Sequence, residues 1–295
     1  MEEARRSACQ PHGHRLIAAG GSAIRREAMV PRRALSILVV AVILLSGVPP
    51  LFAEEPRSDA QVWLYGNMTG VITPSWAYTV MPGIRYRLTD SKEDPGGVTM
   101  YELFTGPMYM HRFGSLRLRV PLWYYYMGFP IPAKGEGSEN DYFDSHNLEV
   151  IPILDYALGR LTLTSRSIFH SKLYARNAAF KTDSHRNGYS LLLRQMLQAS
   201  YSLTPGIALV LADEVFLGLV EDDETADINK GEPFFEKKGF SMNRLYAGAS
   251  VAIIPGLSVS PQYVLETHHN PDKDSELTRI RHYLFVTING VVSLF

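Results

Sequence analysis

Apolar and polar residues alternate one by one along most of the chain after residue 60. In residues 115–126 one face holds Leu116, Leu118, Val120, Leu122 and Tyr124, and the other holds Arg117, Arg119, Pro121, Trp123 and Tyr125. Residues 257–268 and 277–288 show the same alternation. Because successive side chains of a β-strand point to opposite faces, the pattern predicts strands with one apolar and one polar face.

This alternation predicts eleven strands, at residues 61–72, 76–89, 98–112, 115–127, 144–158, 160–175, 188–203, 207–219, 240–254, 257–268 and 277–295. Each is at least 12 residues long, whereas the strands of a soluble sandwich typically have about five or six residues. Long strands with an apolar face for lipid and a polar face for the lumen are typical of a transmembrane β-barrel.

The connections between these strands are of two alternating kinds. Tight turns are predicted at residues 73–75, 113–115, 158–160, 204–206 and 254–256, and long polar connections at 89–97, 128–143, 175–188, 220–239 and 269–276. Short periplasmic turns and long extracellular loops give an antiparallel transmembrane barrel this pattern. Since single-chain bacterial barrels have even strand numbers, we expect 10–12 strands and favour twelve, with a short strand in residues 54–60 or 128–143.

Aromatic residues cluster where the strands are expected to cross the membrane interfaces. The group comprises Trp63, Tyr65, Trp76, Tyr78, Tyr246 and the run at residues 123–126. We expect these side chains to form the aromatic girdles of the barrel. On the apolar faces, Leu118 and Leu284 are expected at mid-strand, facing lipid.

Residues 1–53 have the features of a secretion signal. Arg32 and Arg33 precede the uncharged residues 34–53, and Ala53 stands before the first acidic residue of the remaining chain. A retained membrane anchor is the alternative, because twenty uncharged residues could span a bilayer. A glycine and two prolines at residues 47–50 oppose a continuous helix there. We predict an N-terminal extension and signal peptide in 1–53, with Met29 as a candidate start, cleavage near Ala53, and an outer-membrane barrel in 54–295.

Composition excludes several other classes of protein. Hydrophobic residues make up 46% of the chain, which argues against disorder. Residues 54–295 carry a net charge of -5 and no basic patch, so nucleic acid is not an expected partner. The single cysteine, Cys9, precedes this region, which excludes a disulfide or a thiolate metal site in it. The acidic run 221–227 lacks the spaced ligands of a calcium loop. No metal or cofactor is predicted.

Several short motifs resemble those of a known family. They are Gln61-Val62-Trp63, Arg194, Glu214-Val215-Phe216, residues 240–248 and the strand that bears Tyr263. With them the chain resembles the outer-membrane β-barrel family recorded as domain of unknown function 2490. The resemblance implies the barrel fold and the location, and it supplies no catalytic residue. The chain also ends in Phe295, the terminal aromatic by which barrel-assembly machinery commonly recognises such proteins, so that machinery is an expected partner.

Charged residues on the polar faces of the strands predict a charge-lined lumen. The expected cluster comprises Arg194, Glu214, Arg244, Arg117, Arg119, Glu102 and Glu266. Small barrels fill with side chains, so we favour a lumen blocked by paired charges over a selective pore. Arg194 and Glu214 flank the turn at 204–206 at similar depth, and Arg244 follows on the next strand. We expect an Arg–Glu–Arg cluster in which Glu214 lies within about 6 Å of both guanidinium groups.

The predicted function is a structural or passive component of the outer membrane, without catalytic residues. The first alternative is a narrow channel for small solutes or ions. The second is a surface lipid hydrolase, which would need a serine and a histidine within hydrogen-bond reach on the lipid side. A monomer in contact with membrane lipids and lipopolysaccharide is expected.

Overall fold

The computed structural model describes residues 57–89, 96–131, 141–177, 190–220, 238–271 and 275–294. Nearly all of these residues lie in β-strands, and the predicted all-β barrel is confirmed. Within the described ranges, no helix is long and apolar enough to span a membrane. The signal segment, the acidic run 221–227 and Phe295 lie outside the described residues.

Twelve strands form one sheet. They are β1 (Arg57–Thr73), β2 (Trp76–Arg87), β3 (Gly97–Phe113), β4 (Leu116–Ile131), β5 (Asp141–Val150), β6 (Ile153–Leu158), β7 (Leu161–Asn177), β8 (Ser190–Thr204), β9 (Ile207–Val220), β10 (Gly239–Ile254), β11 (Leu257–Asn270) and β12 (Glu276–Ser293). Apart from β5 and β6, strands that follow one another along the chain pair antiparallel. The ring closes through a parallel pair, β1 with β12, from Arg57 opposite Arg279 to Val71 opposite Ser293.

β5 and β6 are two parts of a single interrupted strand. Both lie between β4 and β7, and the register on β4 continues from Leu122–Val150 to Arg119–Ile153. The ladder is interrupted at Pro152 and, on β4, at the opposing Pro121, because proline lacks the amide hydrogen that a ladder needs. The predicted strand 144–158 is thus retained as one span. The number twelve arises from this interruption, and the described residues of 54–60 and 128–143 belong to β1, β4 and β5.

The barrel consequently has eleven strand positions around its circumference. An even strand number is required only where the first and last strands pair antiparallel. Here they run in the same direction, which requires an odd number of strand positions, joined by an even number of antiparallel steps.

The five tight turns lie where the sequence predicts them, at residues 74–75, 114–115, 159–160, 205–206 and 255–256. All lie at one end of the barrel, which we call the turn end, and the longer connections lie at the opposite loop end. Gly114 and Gly159 have φ angles of 61° and 60°, in the left-handed region that a side chain disfavours and glycine adopts readily. These glycines allow the strands to reverse direction within two residues.

The side chains of the barrel are apolar outside and polar inside. Outward-facing Val80, Leu209 and Leu284 are each exposed. Inward-facing Glu102, Glu214 and Glu266 are each at most 4% exposed. Since successive residues of a strand face opposite sides, the predicted alternation marks the two sides of the barrel wall. Leu118 also faces outward, but it lies only two residues into β4, so its prediction as a mid-strand position is wrong.

Most of the expected aromatic girdle lies inside the barrel. Trp63, Tyr65, Tyr125 and Tyr246 are buried in one internal cluster, and Trp123 packs against it. These residues share the inward row of their strands with charged residues, and the alternation therefore directs them into the lumen. The girdle prediction is wrong for them. Outward aromatic residues do occur at Trp76, Tyr78 and Tyr124, and also at positions that the prediction did not include, such as Tyr86 and Tyr101.

Candidate functional site

Three buried glutamates organise the lumen. Glu102 on β3, Glu214 on β9 and Glu266 on β11 all point inward. Each accepts hydrogen bonds from at least one tyrosine hydroxyl and one arginine. A carboxylate loses its water shell on burial, and several charge-assisted donors are needed to compensate for that loss. The inward-facing tyrosines thus supply hydrogen-bond donors to the buried carboxylates.

Glu102 is held by one arginine and two tyrosines. Arg85 donates through Nε and Nη2 to the two carboxylate oxygens, each at 2.8 Å. Tyr65 and Tyr125 donate their hydroxyl groups to the same carboxylate. Tyr65 reaches it across Gly83, where a Cβ atom would lie 2.4 Å from the Tyr65 ring. The glycine is therefore part of the geometry that brings this hydroxyl to Glu102.

Glu214 lies at the centre of the predicted cluster. Arg194 Nη2 lies 3.0 Å from Glu214 Oε1, and Arg244 Nη1 lies 3.9 Å from Oε2. Arg244 is directly opposite Glu214 in the β9–β10 register, and Arg194 is one diagonal step away. Tyr246 donates to Oε2 at 2.6 Å. The three residues grouped from sequence are thus adjacent inside the barrel.

Arg166 on β7 is a third cation at Glu214, and sequence reasoning did not include it in the cluster. Its Nη2 donates to Glu214 Oε1 at 3.0 Å. β7 and β9 are not neighbours, so the contact crosses over β8. Arg166 lies on the inward face of β7, in the same row as Thr164 and His170. Its contact with Glu214 depends on the curvature of the closed barrel, which cannot be predicted from the positions of the strands in the sequence.

Arg244 links Glu214 to Glu266. Its Nε donates to Glu266 Oε2 at 2.5 Å. Tyr283 donates to Oε1 of the same carboxylate at 2.5 Å, and His268 Nε2 lies 2.5 Å from that oxygen. Arg281 Nη1 lies 3.5 Å from Glu266, so this carboxylate joins strands β10, β11 and β12.

Charges of alternating sign continue from this link around much of the ring. The series runs Glu149–Arg194–Glu214–Arg244–Glu266–Arg281–Asp59–Arg87, with nitrogen-to-oxygen distances of 2.5–3.9 Å. We call it the ion-pair belt. It includes residues of β5, β8, β9, β10, β11, β12, β1 and β2. Each internal member has a partner of opposite charge on both sides, which compensates for its burial.

Arg117 and Arg119 lie apart from the belt, nearer the turn end. Both bind Asp155: Arg117 Nε at 2.9 Å, and Arg119 through Nε at 3.0 Å and Nη2 at 3.1 Å. Thr164 donates to the same carboxylate at 2.8 Å. Glu102 is also separate, and its connection to the belt runs through Trp63, whose ring contacts the guanidinium groups of Arg85 at 3.9 Å and Arg244 at 4.9 Å. The residues of the predicted cluster are therefore divided among three groups: the ion-pair belt, the ion pairs at Asp155 and the ion pair at Glu102.

The loop-end half of the lumen is tightly packed. Leu192, Phe216 and Met242 form a buried cluster with exposures of 0–1%. The guanidinium groups of Arg194 and Arg244 lie 4.9 and 4.7 Å from the Phe216 ring centre, so this cluster packs directly on the belt. The belt and this apolar cluster are therefore packed against each other at that level.

A cavity of about 320 Å³ occupies the other half of the lumen. Its lining includes Arg119, Arg166, Arg194, Asn67 and Gln198, and none of the residues of the apolar cluster. Exposure increases toward the turn end: the Glu214 side chain is 0% exposed, Arg119 28% and Arg117 49%. We call this space the lumen chamber. It is bounded by the belt on the loop side and is accessible from the turn end.

Histidines occupy both faces of the wall. Outward-facing His146 and His282 each place Nδ1 beside a tyrosine hydroxyl, of Tyr124 at 2.5 Å and of Tyr263 at 2.7 Å. His170 is buried inside, with Nδ1 2.9 Å from Glu149 Oε1. In the described part of the chain, no group of three or more His, Cys, Asp or Glu residues is arranged to hold a metal ion.

The sequence was compared with known proteins. The profile of a family described as "Protein of unknown function (DUF2490)" matches residues 60–277. No curated protein matches the chain. The matched region begins in β1 and ends in β12, and it includes every residue of the belt except Asp59 and Arg281.

Proposed function

We propose that this chain, which belongs to the DUF2490 family of proteins of unknown function, is an integral β-barrel of the bacterial outer membrane. It serves there as a structural or passive component, with its lumen closed to ion flow. The proposal is supported by the reversed polarity of the barrel, whose outer face exposes large apolar side chains while its charges point inward. Water would disfavour such a surface, and lipid would favour it.

The outward row of β2 carries this argument. It begins with Trp76 and Tyr78, continues through Val80 and Ile84, and reaches Tyr86. Trp76 and Tyr86 are ten residues apart, which is about 33 Å along a strand and about 25 Å across a bilayer at a tilt of about 40°. An apolar band of about 25 Å between two aromatic girdles is the signature of an outer-membrane barrel.

One of the polar pairs on the outward face contains a carboxylate. Asp213 on β9 accepts a hydrogen bond from Asn243 Nδ2 at 2.7 Å. Since Leu211 and Val215 continue the same row, the pair is a local exception within an apolar strand. Asn243 compensates for part of the cost of placing the carboxylate among apolar side chains.

The location can be tested in a Gram-negative host that expresses residues 1–295. We expect the protein in the outer-membrane fraction, with its N-terminus near Glu54 after removal of the signal peptide. Density separation of the membranes and N-terminal sequencing give both answers. Recovery of residues 34–53 in an inner-membrane protein, or of the barrel in the soluble fraction, would contradict the proposal.

Closure of the lumen requires a separate measurement. The ion-pair belt packs on the apolar cluster in the loop-end half, and small barrels fill with side chains, so we expect no steady conductance from wild-type protein in planar bilayers. A positive control is an open porin, reconstituted by the same procedure. Regular unitary current steps from the wild-type protein would favour the alternative function, a narrow channel.

A further inference from the structure

The lumen chamber is large enough to hold a solute. Its volume of about 320 Å³ corresponds to about ten molecules of liquid water and falls at the lower end of the range for ligand pockets. The belt bounds it on the loop side, and the exposed side chain of Arg117 marks its accessible turn end. A solute that enters from the turn end would therefore be retained there.

Cations dominate the surface that such a solute would meet. Five arginines line the chamber, at positions 85, 119, 166, 194 and 244, against two glutamates, Glu102 and Glu149. Glu214 and Asp155 are behind the guanidinium groups: the Glu214 side chain is 0% exposed and that of Asp155 is 7% exposed, whereas Arg119 and Arg166 are each 28% exposed. A low-dielectric wall strengthens the field of these cations.

Arg166 is the least compensated of these arginines in the contacts that the structure shows. It shares the Glu214 carboxylate with Arg194 and Arg244. Its Nε is buried without a hydrogen-bond acceptor. Arg119, by contrast, makes a two-point contact with Asp155, but shares that carboxylate with Arg117. Arg194 and Arg244 each have a second carboxylate partner, Glu149 and Glu266, whereas Arg166 pairs with the shared Glu214. Since two arginines also share Asp155 at the second site, an added anion would relieve repulsion at both.

The opposite wall offers neutral polar groups. It is formed by side chains of Asn67, Gln262, Thr287 and Asn289, which lie on β1, β11 and β12. Asn67 Nδ2 donates to Asn289 Oδ1 at 3.1 Å. Amide and hydroxyl groups of this kind recognise hydroxyl groups of a ligand, whereas arginines recognise carboxylate or phosphate. The two walls together match a small polar anion.

We infer that the lumen chamber is a binding site for a small anionic solute, whose carboxylate or phosphate group contacts Arg119 and Arg166. The inference concerns the interior of the barrel and not its location, so either can fail without the other. Both ligand chemistries share the oxyanion that arginine binds. The test must therefore distinguish them.

The experiment is equilibrium dialysis on detergent-purified full-length protein with inorganic phosphate or gluconate, and with neutral sorbitol as the matched control for gluconate. We expect saturable binding of at least one anion, weakened by high salt, and none of sorbitol. The Arg119→Gln/Arg166→Gln variant should lose at least about tenfold in affinity. Arg160→Gln, in a turn at the same end but outside the chamber lining, should bind as the wild type does.

A second variant keeps the test decisive if the double substitution prevents folding. Gln198 lines the chamber and is only partly buried, so Gln198→Trp should fill the space without changing its charge and should also abolish binding. Folding is checked by the mobility shift on heating and by near-ultraviolet circular dichroism. Absence of saturable binding of both anions to wild-type protein, or binding unaffected in folded Gln198→Trp protein, would overturn the inference.

Discussion

At the scale of single residues, the stability of the lumen depends on matched donors and acceptors. Glu214 accepts from Arg166, Arg194 and Tyr246 while being fully buried. Glu214→Ala would leave three guanidinium groups without their shared counterion. Removing one partner of a buried ion pair costs about 3–5 kcal/mol, because the remaining charges stay buried and uncompensated.

Glu214→Ala should accordingly lower the free energy of unfolding by about 3–5 kcal/mol, measured by denaturant titration in detergent micelles. Glu276→Ala, at the loop end of β12, is the control and should change it by less than about 1 kcal/mol. Equal effects of the two substitutions would show that the network does not stabilise the barrel.

Gly83 provides a second test at this scale. A Cβ at this position would lie 2.4 Å from the Tyr65 ring, whereas one at Gly66 would meet nothing within 4 Å. Gly83→Ala should therefore displace Tyr65 from Glu102 and lower the free energy of unfolding by about 1–3 kcal/mol. Gly66→Ala should leave it nearly unchanged. The same denaturant titration distinguishes them, and a neutral Gly83→Ala variant would contradict the assigned role.

At the scale of strands, much of the structure follows from the alternation alone. The five turns and the inward or outward side of Leu284, Tyr283 and Arg281 could be read from a period of two. Contacts between neighbours on adjacent strands, such as Arg244 with Glu214, also follow from register. Contacts that skip a strand, such as Arg166 with Glu214, do not, because they depend on how tightly the ring curves.

For the aromatic residues, residue type alone does not predict which side of the barrel wall a side chain faces. Trp63 and Trp76 belong to the same residue type and both lie in strands, yet one is buried inside and the other is exposed outside. Residue type favours an interface position for both. They are distinguished only by their place in the alternation, since Trp63 lies in the same row as Gln61 and Tyr65. The side that this row faces overrides the preference of tryptophan for the membrane interface.

Depth along a strand should be measurable by placing charges on the outer face. Leu284 pairs with Tyr263 in the middle of β12, whereas Leu118 lies two residues from the start of β4. In liposomes, Leu284→Arg should lower the free energy of unfolding by about 2–4 kcal/mol and Leu118→Arg by about 0–1 kcal/mol, because the cost falls toward the interface. The reverse order, or equal costs, would mean that the outer face does not meet a lipid bilayer centred on Leu284.

At the scale of the whole molecule, the ion-pair belt also spans the seam where the ring closes. It joins β1 to β12 through Asp59 and Arg281, at 3.4 Å, on the parallel seam where the ring closes. The first and last strands of the barrel are the furthest apart along the chain. Pairing them therefore has a larger loop-closure entropy cost than pairing any other two strands. A side-chain ion pair at the seam reinforces the backbone ladder there.

The parallel seam also fixes where the two ends of the barrel chain lie. β1 starts at the loop end and runs to the first tight turn, while β12 starts at the loop end and finishes at the turn end. With the proposed orientation, an epitope inserted after Glu55 should bind antibody on intact cells, and an epitope after Phe295 only after permeabilisation. Flow cytometry measures both. Two inaccessible epitopes would contradict this arrangement.

A barrel with an even number of strands leaves both of its ends on the side from which it was inserted. Because β1 and β12 pair parallel, the start of β1 and the end of β12 lie at opposite ends of this barrel. The secretion signal would deliver residue 57 to the periplasm, and the finished fold would hold it at the cell surface. Assembly would therefore have to move the start of β1 through the bilayer while the end of β12 stays on the periplasmic side. The free-energy cost of that crossing would rise with every polar residue placed before Arg57.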